Sequence, residues 1–187
     1  MLLTCDKLTK ILPIIRLEIY NNKDISLIVP TKYLNEISTL IKNHFNYQFK
    51  ILICISGVDC QKNYYRFHIV YELLSLKFNA RLRLKILVSD LVPINSIENI
   101  FLSAAWWESE IWDMFGLFFI NQNNLTRILT DYGFVGFPLR KDFPLSGFVE
   151  LKYSTIKNRI VYEQMELSQE YRSFNFLCPW EAGNNRR

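Results

Sequence analysis

Short alternating runs of apolar and polar residues dominate the first half of the chain. This alternation is typical of β-strands that bury one face, and it predicts strands at Ile15–Ile19, Ile25–Val29 and Phe49–Ile55. The polar segment Asn21–Asp24 is typical of a turn, so the first two strands should form a hairpin. The third strand should end at Ser56-Gly57.

A helical pattern separates the second and third predicted strands. Thr31 suits the N-cap of a helix. After it, apolar residues recur at the spacing of one helix face, at Leu34, Ile37, Ile41 and Phe45. We therefore expect a helix whose apolar face packs against the neighbouring sheet.

A second hairpin with two chemically different faces is predicted further along. Its apolar face carries Tyr65, Phe67, Ile69, Tyr71 and Leu73 on one arm, and Leu82, Leu84, Ile86 and Val88 on the other. The opposite face is polar, with Arg66, His68 and Glu72 on one arm and Arg81, Arg83 and Lys85 on the other. An antiparallel sheet can bury one such face and leave the other in water. The pattern favours the α+β class, with a small antiparallel or mixed sheet and helices on one face.

The periodicity changes after Pro93. The stretch Ser96–Phe115 is dense in aromatic residues and predicts one helix or two short ones, whereas glycine and proline interrupt the chain from Leu117 onward. Long irregular segments in compact proteins usually serve a function, and this one is too hydrophobic for a disordered tail. We expect an α+β domain over residues 1–116 and, over residues 117–187, an extended irregular tail that wraps a partner.

Composition argues against several classes of function. The net charge of +4 does not require nucleic acid or anionic lipid as a ligand. The sequence also contains no run of about 20 apolar residues, the length that a membrane-spanning helix needs. The cysteines, at positions 5, 54, 60 and 178, form no closely spaced pairs of the kind found in zinc or iron–sulfur sites. The sequence also lacks a glycine-rich phosphate loop. We expect four reduced, mostly buried thiols and no cofactor or metal bound by this chain.

Two long motifs carry a family resemblance. The run Trp106–Gly116 reads WWESEIWDMFG, and the run Leu129–Gly147 reads LTDYGFVGFPLRKDFPLSG. Both are similar to signatures of the 30-kDa subunit family of respiratory complex I. Shorter matches follow the family's order, at Ser56–Asp59, Arg66–Tyr71, Phe78–Arg83 and Pro179–Glu181. The resemblance extends from about Ile14 to Glu181. The start of its second motif and its end resemble the mitochondrial and alphaproteobacterial branch of this family, which is also called subunit 9.

The chain departs from the family's pattern at several positions. Ser109 replaces an arginine between two glutamates, and Phe137 replaces a histidine before proline. Gln122, Asn123 and Asn124 stand where the family has His-Pro-Asp, and Thr126 replaces the first of two arginines. A lost arginine removes a bidentate carboxylate partner, so an ion pair between subunits at position 109 is in doubt.

The resemblance implies a non-catalytic structural subunit of the peripheral arm of complex I, which supports electron transfer from NADH to ubiquinone. The implied partners are the 49-kDa subunit and the small subunit that carries the terminal iron–sulfur cluster. FMN, iron–sulfur clusters and ubiquinone belong to the complex, and this chain would bind none of them. The implied location is the matrix side of the mitochondrial inner membrane. Synthesis inside the organelle is expected, since no transit peptide is evident.

Candidate subunit-interface residues cluster in the two long motifs. Catalysis by the acids is disfavoured because Glu108 and Glu110 point to different faces of a helix, which leaves helix-surface or partner-facing roles. Arg140, Lys141 and Asp142 would pair with charges of a partner. The interface candidates are Trp106, Trp107, Glu108, Glu110, Asp113, Arg127, Asp131, Tyr132, Arg140, Lys141, Asp142, Phe143 and Trp180.

An alternative function remains open: an RNA-binding module that uses the basic sheet face. Arg66, Arg81, Arg83 and Lys85 would supply the cations. RNA platforms place aromatic rings on the same exposed surface as the cations, but here Phe67 and Tyr71 are expected on the opposite face. The aromatic residues of the tail, by contrast, favour burial against a protein partner. They are Tyr132, Phe134, Phe143, Phe148, Tyr153 and Trp180.

Overall fold

The computed structural model describes residues 12–20, 25–172 and 174, and the chain divides into two compact units between Phe143 and Pro144. The first unit contains a five-stranded sheet. Its strands are β1 (Arg16–Ile19), β2 (Ile25–Val29), β3 (Ile51–Asp59), β4 (Phe67–Ser75) and β5 (Ala80–Val88). They lie in the order β1-β2-β5-β4-β3, and every neighbouring pair is antiparallel except β2 and β5. The sheet is therefore mixed, and the expected α+β class is confirmed.

Two α-helices accompany the sheet among the described residues of the first unit. A 3₁₀ turn over Thr31–Tyr33 leads into α1 (Leu34–Asn43), and α2 spans Ala104–Phe115. The short parallel strands β6 (Ile94–Asn95) and β7 (Phe119–Ile120) pair with each other on either side of α2 in the sequence. None of the helices in the described residues is long and apolar enough to cross a membrane.

The core lies on one face of the sheet, as the alternation along β4 and β5 predicts. Every second residue of β4 is buried, from Phe67 to Ser75, and the same holds for β5 from Ala80 to Val88. Ile37 and Ile41 of α1 join the same buried cluster. Burying one such side chain contributes roughly 1.5–3 kcal/mol, so this face of the sheet holds the unit together.

Local predictions around α1 and β4 were less accurate. Thr31 lies in the 3₁₀ turn, and the N-cap of α1 is Tyr33, which makes no side-chain capping hydrogen bond. Phe45 is 73% exposed because the helix ends at Asn43 and the backbone of His44 is extended. Tyr65 precedes β4 and is also exposed. The Asn21–Asp24 turn lies outside the described residues.

The alternation predicted for β3 is broken by a bulge. The pairing with β4 shifts between Leu52 and Cys54, and one extra residue reverses which side chains face the core. Leu52 is buried as a result, whereas Ile51 and Ile53 are exposed. The strand also continues past the predicted end at Gly57, where a Cβ would lie 2.7 Å from the Phe115 ring.

The second unit contains a β-hairpin that the sequence analysis missed. β8 (Val149–Ser154) pairs with β9 (Arg159–Gln164) in antiparallel register. The expectation of an irregular tail holds from residue 121 to residue 148, where there is no helix or strand. The division between the units lies beyond the expected one at Gly116. Whether residues 1–116 form a separate domain stays a prediction.

Candidate functional site

Asp113 of α2 anchors the start of the segment that follows β7. Its side chain is fully buried. Oδ2 accepts hydrogen bonds from the backbone N–H groups of Ile128, Leu129 and Thr130 at 3.2, 2.8 and 3.0 Å, and Oδ1 accepts one from Thr130 Oγ1 at 2.6 Å. Burial opposes ionisation, but these hydrogen bonds outweigh it and keep the pKa of Asp113 below its usual value.

Arg140 fixes the other end of this segment. Its Nε donates to the carbonyl oxygen of Phe115 at 2.6 Å, and its two terminal nitrogens donate to the carboxylate of Asp90 at 3.1 and 2.7 Å. The guanidinium carbon lies 5.2 Å from the centre of the Phe67 ring and 4.8 Å from that of Phe137. Such a bidentate, stacked arginine is held in one orientation.

A second ionic group lies beside Arg140. Arg66 donates to both carboxylate oxygens of buried Asp59, at 2.8 and 2.9 Å, and to Asp142 at 2.8 Å. The backbone N–H of Lys141 also donates to Asp59, at 2.9 Å. The hydrogen bonds from Arg66, followed by the one from Lys141, lower the pKa of Asp59 against the effect of burial. Both ends of residues 128–143, the anchored loop, are thus tied to the rest of the first unit.

The anchored loop presents apolar side chains to solvent between its two ends. Tyr132 is 97% exposed, Val135 is 85% exposed and Leu129 is 61% exposed. Phe134 and Phe143 instead lie near each other, with their ring centres 6.0 Å apart. The loop therefore has a fixed base and an exposed apolar tip.

Glu108 is a second buried acid on α2. Its carboxylate accepts from Ser96 Oγ at 2.6 Å and from the backbone N–H of Ile97 at 2.9 Å, so it caps the segment before α2. Burial raises the pKa of Glu108 to about 7, although both hydrogen bonds favour the charged form. The expectation that Glu108 and Asp113 lie on the helix surface is wrong. Both side chains point into the chain's own fold and offer no exposed atom to a partner.

Comparisons with known proteins agree with the motifs. The family model described as "Respiratory-chain NADH dehydrogenase, 30 Kd subunit" matches residues 27–149. The NADH-ubiquinone oxidoreductase subunit 9 of Reclinomonas americana is 47% identical over 163 residues, which cover 87% of this chain and 80% of that protein. The NADH dehydrogenase [ubiquinone] iron-sulfur protein 3 of Beta trigyna is 49% identical over 154 residues, which cover 82% of this chain and 80% of that protein. The chain belongs to the complex I 30-kDa subunit family.

Solved structures share the fold of this complex I subunit. A trypsin-resistant fragment of Nqo5 superposes with a TM-score of 0.54 at 22% identity, covering 66% of this chain and 96% of the fragment. A chain of the archaeal membrane-bound sulfane sulfur reductase superposes with a TM-score of 0.66 at 20% identity, covering 76% of this chain and 84% of that one. At these identities the comparison concerns architecture alone.

Two departures from the family's motifs contact each other. Ser109 Oγ donates to the carbonyl oxygen of Ala105 at 2.9 Å. The side-chain amide of Gln122 lies 2.9 Å from Ser109 Oγ and donates to the same carbonyl at 2.8 Å. Ser109 is nearly fully buried, so an uncharged pair of side chains occupies the positions of the family's arginine and histidine.

A third departure, Phe137, fills a space beside a glycine. Gly116 ends α2 with φ +75°, a conformation that favours glycine. A Cβ on Gly116 would lie 2.6 Å from the Phe137 ring. The same ring lies 5.4 Å from the Arg127 guanidinium and 4.8 Å from that of Arg140. Phe137 therefore helps position two of the predicted site residues.

The structure brings some interface candidates together and separates others. Asp113, Arg127, Arg140 and Phe143 take part in holding the anchored loop. Trp106 is 75% exposed, whereas Trp107 packs against the core. Glu110 is half-buried, and Asp131 is exposed. Trp180 lies outside the described residues. The sequence analysis missed the role of Asp59, although Asp59 closes the Ser56–Asp59 motif.

Arg140 and Asp142 were predicted to pair with charges of a partner, but both are already paired with charges of this chain. Both side chains already form ion pairs inside the first unit, with Asp90 and Arg66. The side chain of Lys141 is exposed. It can therefore still meet a partner, as can the carboxylate of Asp142, which is 55% exposed despite its ion pair. The side chain of Arg140 is only 17% exposed.

The basic sheet face does not favour the RNA-binding alternative. Arg66 is paired with Asp59, Arg83 with Glu72 and Lys85 with Glu18. The aromatic rings expected on the other face are indeed buried there, with Phe67 at 0% and Tyr71 at 1% exposure. Tyr20, which is 42% exposed, is the ring beside Arg83 and Lys85. With three of the four cations paired to carboxylates, however, the face offers little free positive charge to a nucleic-acid backbone.

The possible metal ligands are scattered, and the thiols form no disulfide, in the part of the chain that the structure describes. That part holds no group of three or more histidine, cysteine or acidic residues able to bind a metal. Cys54 and Cys60 are free and half-buried, rather than mostly buried as expected. Cys5 and Cys178 lie outside the described residues. The absence of a bound cofactor stays a prediction.

Proposed function

We propose that this complex I subunit is a structural component of the peripheral arm that binds neighbouring subunits and carries no redox group. Its proposed partners are the 49-kDa subunit and the small subunit that carries the terminal iron–sulfur cluster. The proposed location is the matrix side of the mitochondrial inner membrane, and synthesis inside the organelle is proposed with it. FMN, iron–sulfur clusters and ubiquinone would be held by other subunits of the complex.

The observation that carries this proposal is the anchored loop. Asp113 of α2 and Arg140 of the loop hold its two ends against the rest of the first unit. Between these ends the loop exposes apolar side chains, with Tyr132 and Val135 almost fully exposed. Catalytic sites usually bring titratable groups together in a cleft, whereas aromatic anchor residues are enriched in binding hot spots. An exposed apolar tip between two anchored ends therefore favours binding over catalysis.

The loop can be tested in cells that lack the natural chain. The double variant Tyr132→Ser, Val135→Ser removes apolar surface without touching the anchors, so the chain should fold normally. We expect less of it in complex I, measured by native gel electrophoresis with staining for NADH dehydrogenase activity. Tyr64→Ser is the matched control, because Tyr64 is 91% exposed before β4, away from the loop in sequence. Normal incorporation of the double variant would show that the apolar tip of the loop does not hold the chain in the complex.

The absence of a redox group needs a separate measurement. The purified, folded chain should contain no stoichiometric iron, acid-labile sulfide or flavin, by metal analysis and optical absorption. A stoichiometric amount of any of them would contradict the structural role.

A further inference from the structure

Cys60 lies beside a histidine at one end of the five-stranded sheet. It follows β3 directly, and its Sγ atom lies 4.0 Å from Nδ1 of His68, the second residue of β4. Its backbone N–H donates to the carbonyl oxygen of Arg66 at 2.7 Å, and its own carbonyl oxygen accepts from the N–H of Asn63 at 3.0 Å. These hydrogen bonds fix the backbone of Cys60, so its thiol is held next to the imidazole.

The imidazole of His68 is suited to accept a proton at neutral pH. Burial lowers the pKa of His68, and the charge of Lys85 lowers it further, against the opposing effect of Glu18. Lys85 is held in place, because it pairs with Glu18 at 2.9 Å and donates to the hydroxyl of Tyr20. A neutral imidazole with its proton on Nε2 leaves Nδ1 free to accept. Such a base activates a neighbouring thiol, since the thiolate is the form that reacts.

An open cleft lies beside the pair of Cys60 and His68. Its volume of about 420 Å³ falls within the ~300–1,000 Å³ of typical small-molecule sites, so it accepts a molecule of the size of a short peptide, many times larger than a peroxide. Its lining combines one carboxylate, one ammonium group and one imidazole with three phenol rings, which suits a ligand that carries amino, carboxylate and amide groups. These side chains are Glu18, Lys85, His68, Tyr20, Tyr64 and Tyr65.

We propose that Cys60 is a site of reversible S-thiolation by a small peptide disulfide, with His68 as the base. Nδ1 of His68 takes the proton from the thiol, and the thiolate of Cys60 attacks one sulfur of the disulfide. A new S–S bond forms at Cys60, the original S–S bond breaks, and the leaving thiolate takes the proton from His68. The small disulfide is therefore the oxidant, and one of its halves is released as a thiol. This reaction goes beyond the proposed structural role and does not rest on it.

A second thiol of the chain provides an internal comparison. Cys54 is also free and half-buried, but its cross-strand partner is an acid, Glu72. A nearby carboxylate opposes the ionisation of a thiol, whereas His68 assists it at Cys60. Cys60 should therefore react with the disulfide faster than Cys54, by roughly tenfold or more.

Timed mass spectrometry tests the proposal on the full chain. The chain is mixed with oxidised glutathione at neutral pH and quenched at intervals, and peptide mapping gives the fraction of mixed disulfide at each cysteine. His68→Gln should slow the reaction of Cys60 by roughly tenfold or more and leave that of Cys54 unchanged. His44→Gln is the matched control, because His44 follows α1 and packs against Tyr47 instead. Equal rates at Cys54 and Cys60, or an unchanged rate in His68→Gln, would overturn the proposal.

The pH dependence of the two rates gives a measurement that needs no variant. An unassisted thiol loses roughly tenfold in thiolate with each pH unit below about 8.5. The rate at Cys54 should follow this decline between about pH 8 and pH 7. The rate at Cys60 should fall by less, because His68 is still neutral there and accepts the proton. Parallel declines at the two cysteines would show that His68 does not act as the base.

Discussion

The side-chain amide of Gln122 lies 2.9 Å from the hydroxyl oxygen of Ser109, and both groups donate to the carbonyl oxygen of Ala105. These two residues depart from the family's motifs, and the contact indicates that their effects are coupled. Each hydrogen bond of this kind contributes roughly 0.5–1.5 kcal/mol to stability.

The coupling can be measured with a double-mutant cycle. Ser109→Ala and Gln122→Ala should each lower the free energy of unfolding by roughly 1 kcal/mol, and the double variant by less than the sum. Urea titration of the isolated chain gives the three values. Strict additivity would show that the two side chains act independently. Asn123→Ala is the neighbouring control, since its side chain bonds to Glu98 at the surface instead.

Asp113 should be one of the most sensitive positions of the chain. Asp113→Ala leaves three backbone N–H groups without their acceptor, so the free energy of unfolding should fall by roughly 3–5 kcal/mol. The pKa of Asp113 is lowered by folding, so its contribution is present above the unfolded pKa and is lost as pH falls through the folded pKa. Urea titrations between neutral and acidic pH measure this loss.

The control for that prediction is Asp131→Ala. Asp131 is exposed and accepts a hydrogen bond only from the backbone of Tyr132 in the described contacts. Its replacement should change stability by less than about 0.5 kcal/mol. A similar loss for both variants would mean that Asp113 does not anchor the loop.

Glu108 should give the opposite dependence on pH. Folding raises its pKa from 4.5 to about 7, so the folded state binds the proton more tightly than the unfolded state. Stability is therefore full below about pH 4.5 and falls as pH rises towards 7, by a total of roughly 3 kcal/mol. Glu108→Gln cannot ionise, so this part of the pH dependence should disappear from its urea titrations.

The half-buried Glu110 supplies the matched control on the same helix. Glu110→Gln should retain the pH dependence of the natural chain. If Glu108→Gln and the natural chain lose stability equally between pH 5 and pH 8, the ionisation of Glu108 is not the cause.

Sequence patterns predicted those strands in which apolar and polar residues alternate regularly over many residues. The contrast between the faces of β4 and β5 is sustained over nine residues each, so it survives small errors of boundary. The pattern of β3 failed at the bulge beside Leu52, because one inserted residue exchanges the faces without changing the composition. The β8–β9 hairpin also alternates, but the neighbouring glycines and prolines obscured it.

The candidate site was harder to predict, because the residue type alone does not show whether an acidic side chain is buried. Glu108, Glu110 and Asp113 look alike in the sequence, yet only the first and third are buried. Their hydrogen-bond partners lie on other segments, at Ser96 and Thr130. The distinction comes from tertiary packing, which a single sequence does not specify locally.

The anchoring of residues 128–143 also bears on the energetics of association. Since Asp113 and Arg140 hold this segment with contacts from the chain itself, its conformational entropy is lost during folding and not at the encounter with a partner. Preorganised surfaces bind with a smaller entropic penalty than segments that fold on contact. Binding through this tip should therefore show a small heat-capacity change, set by Tyr132, Val135 and the surface they cover, without the large change that accompanies coupled folding.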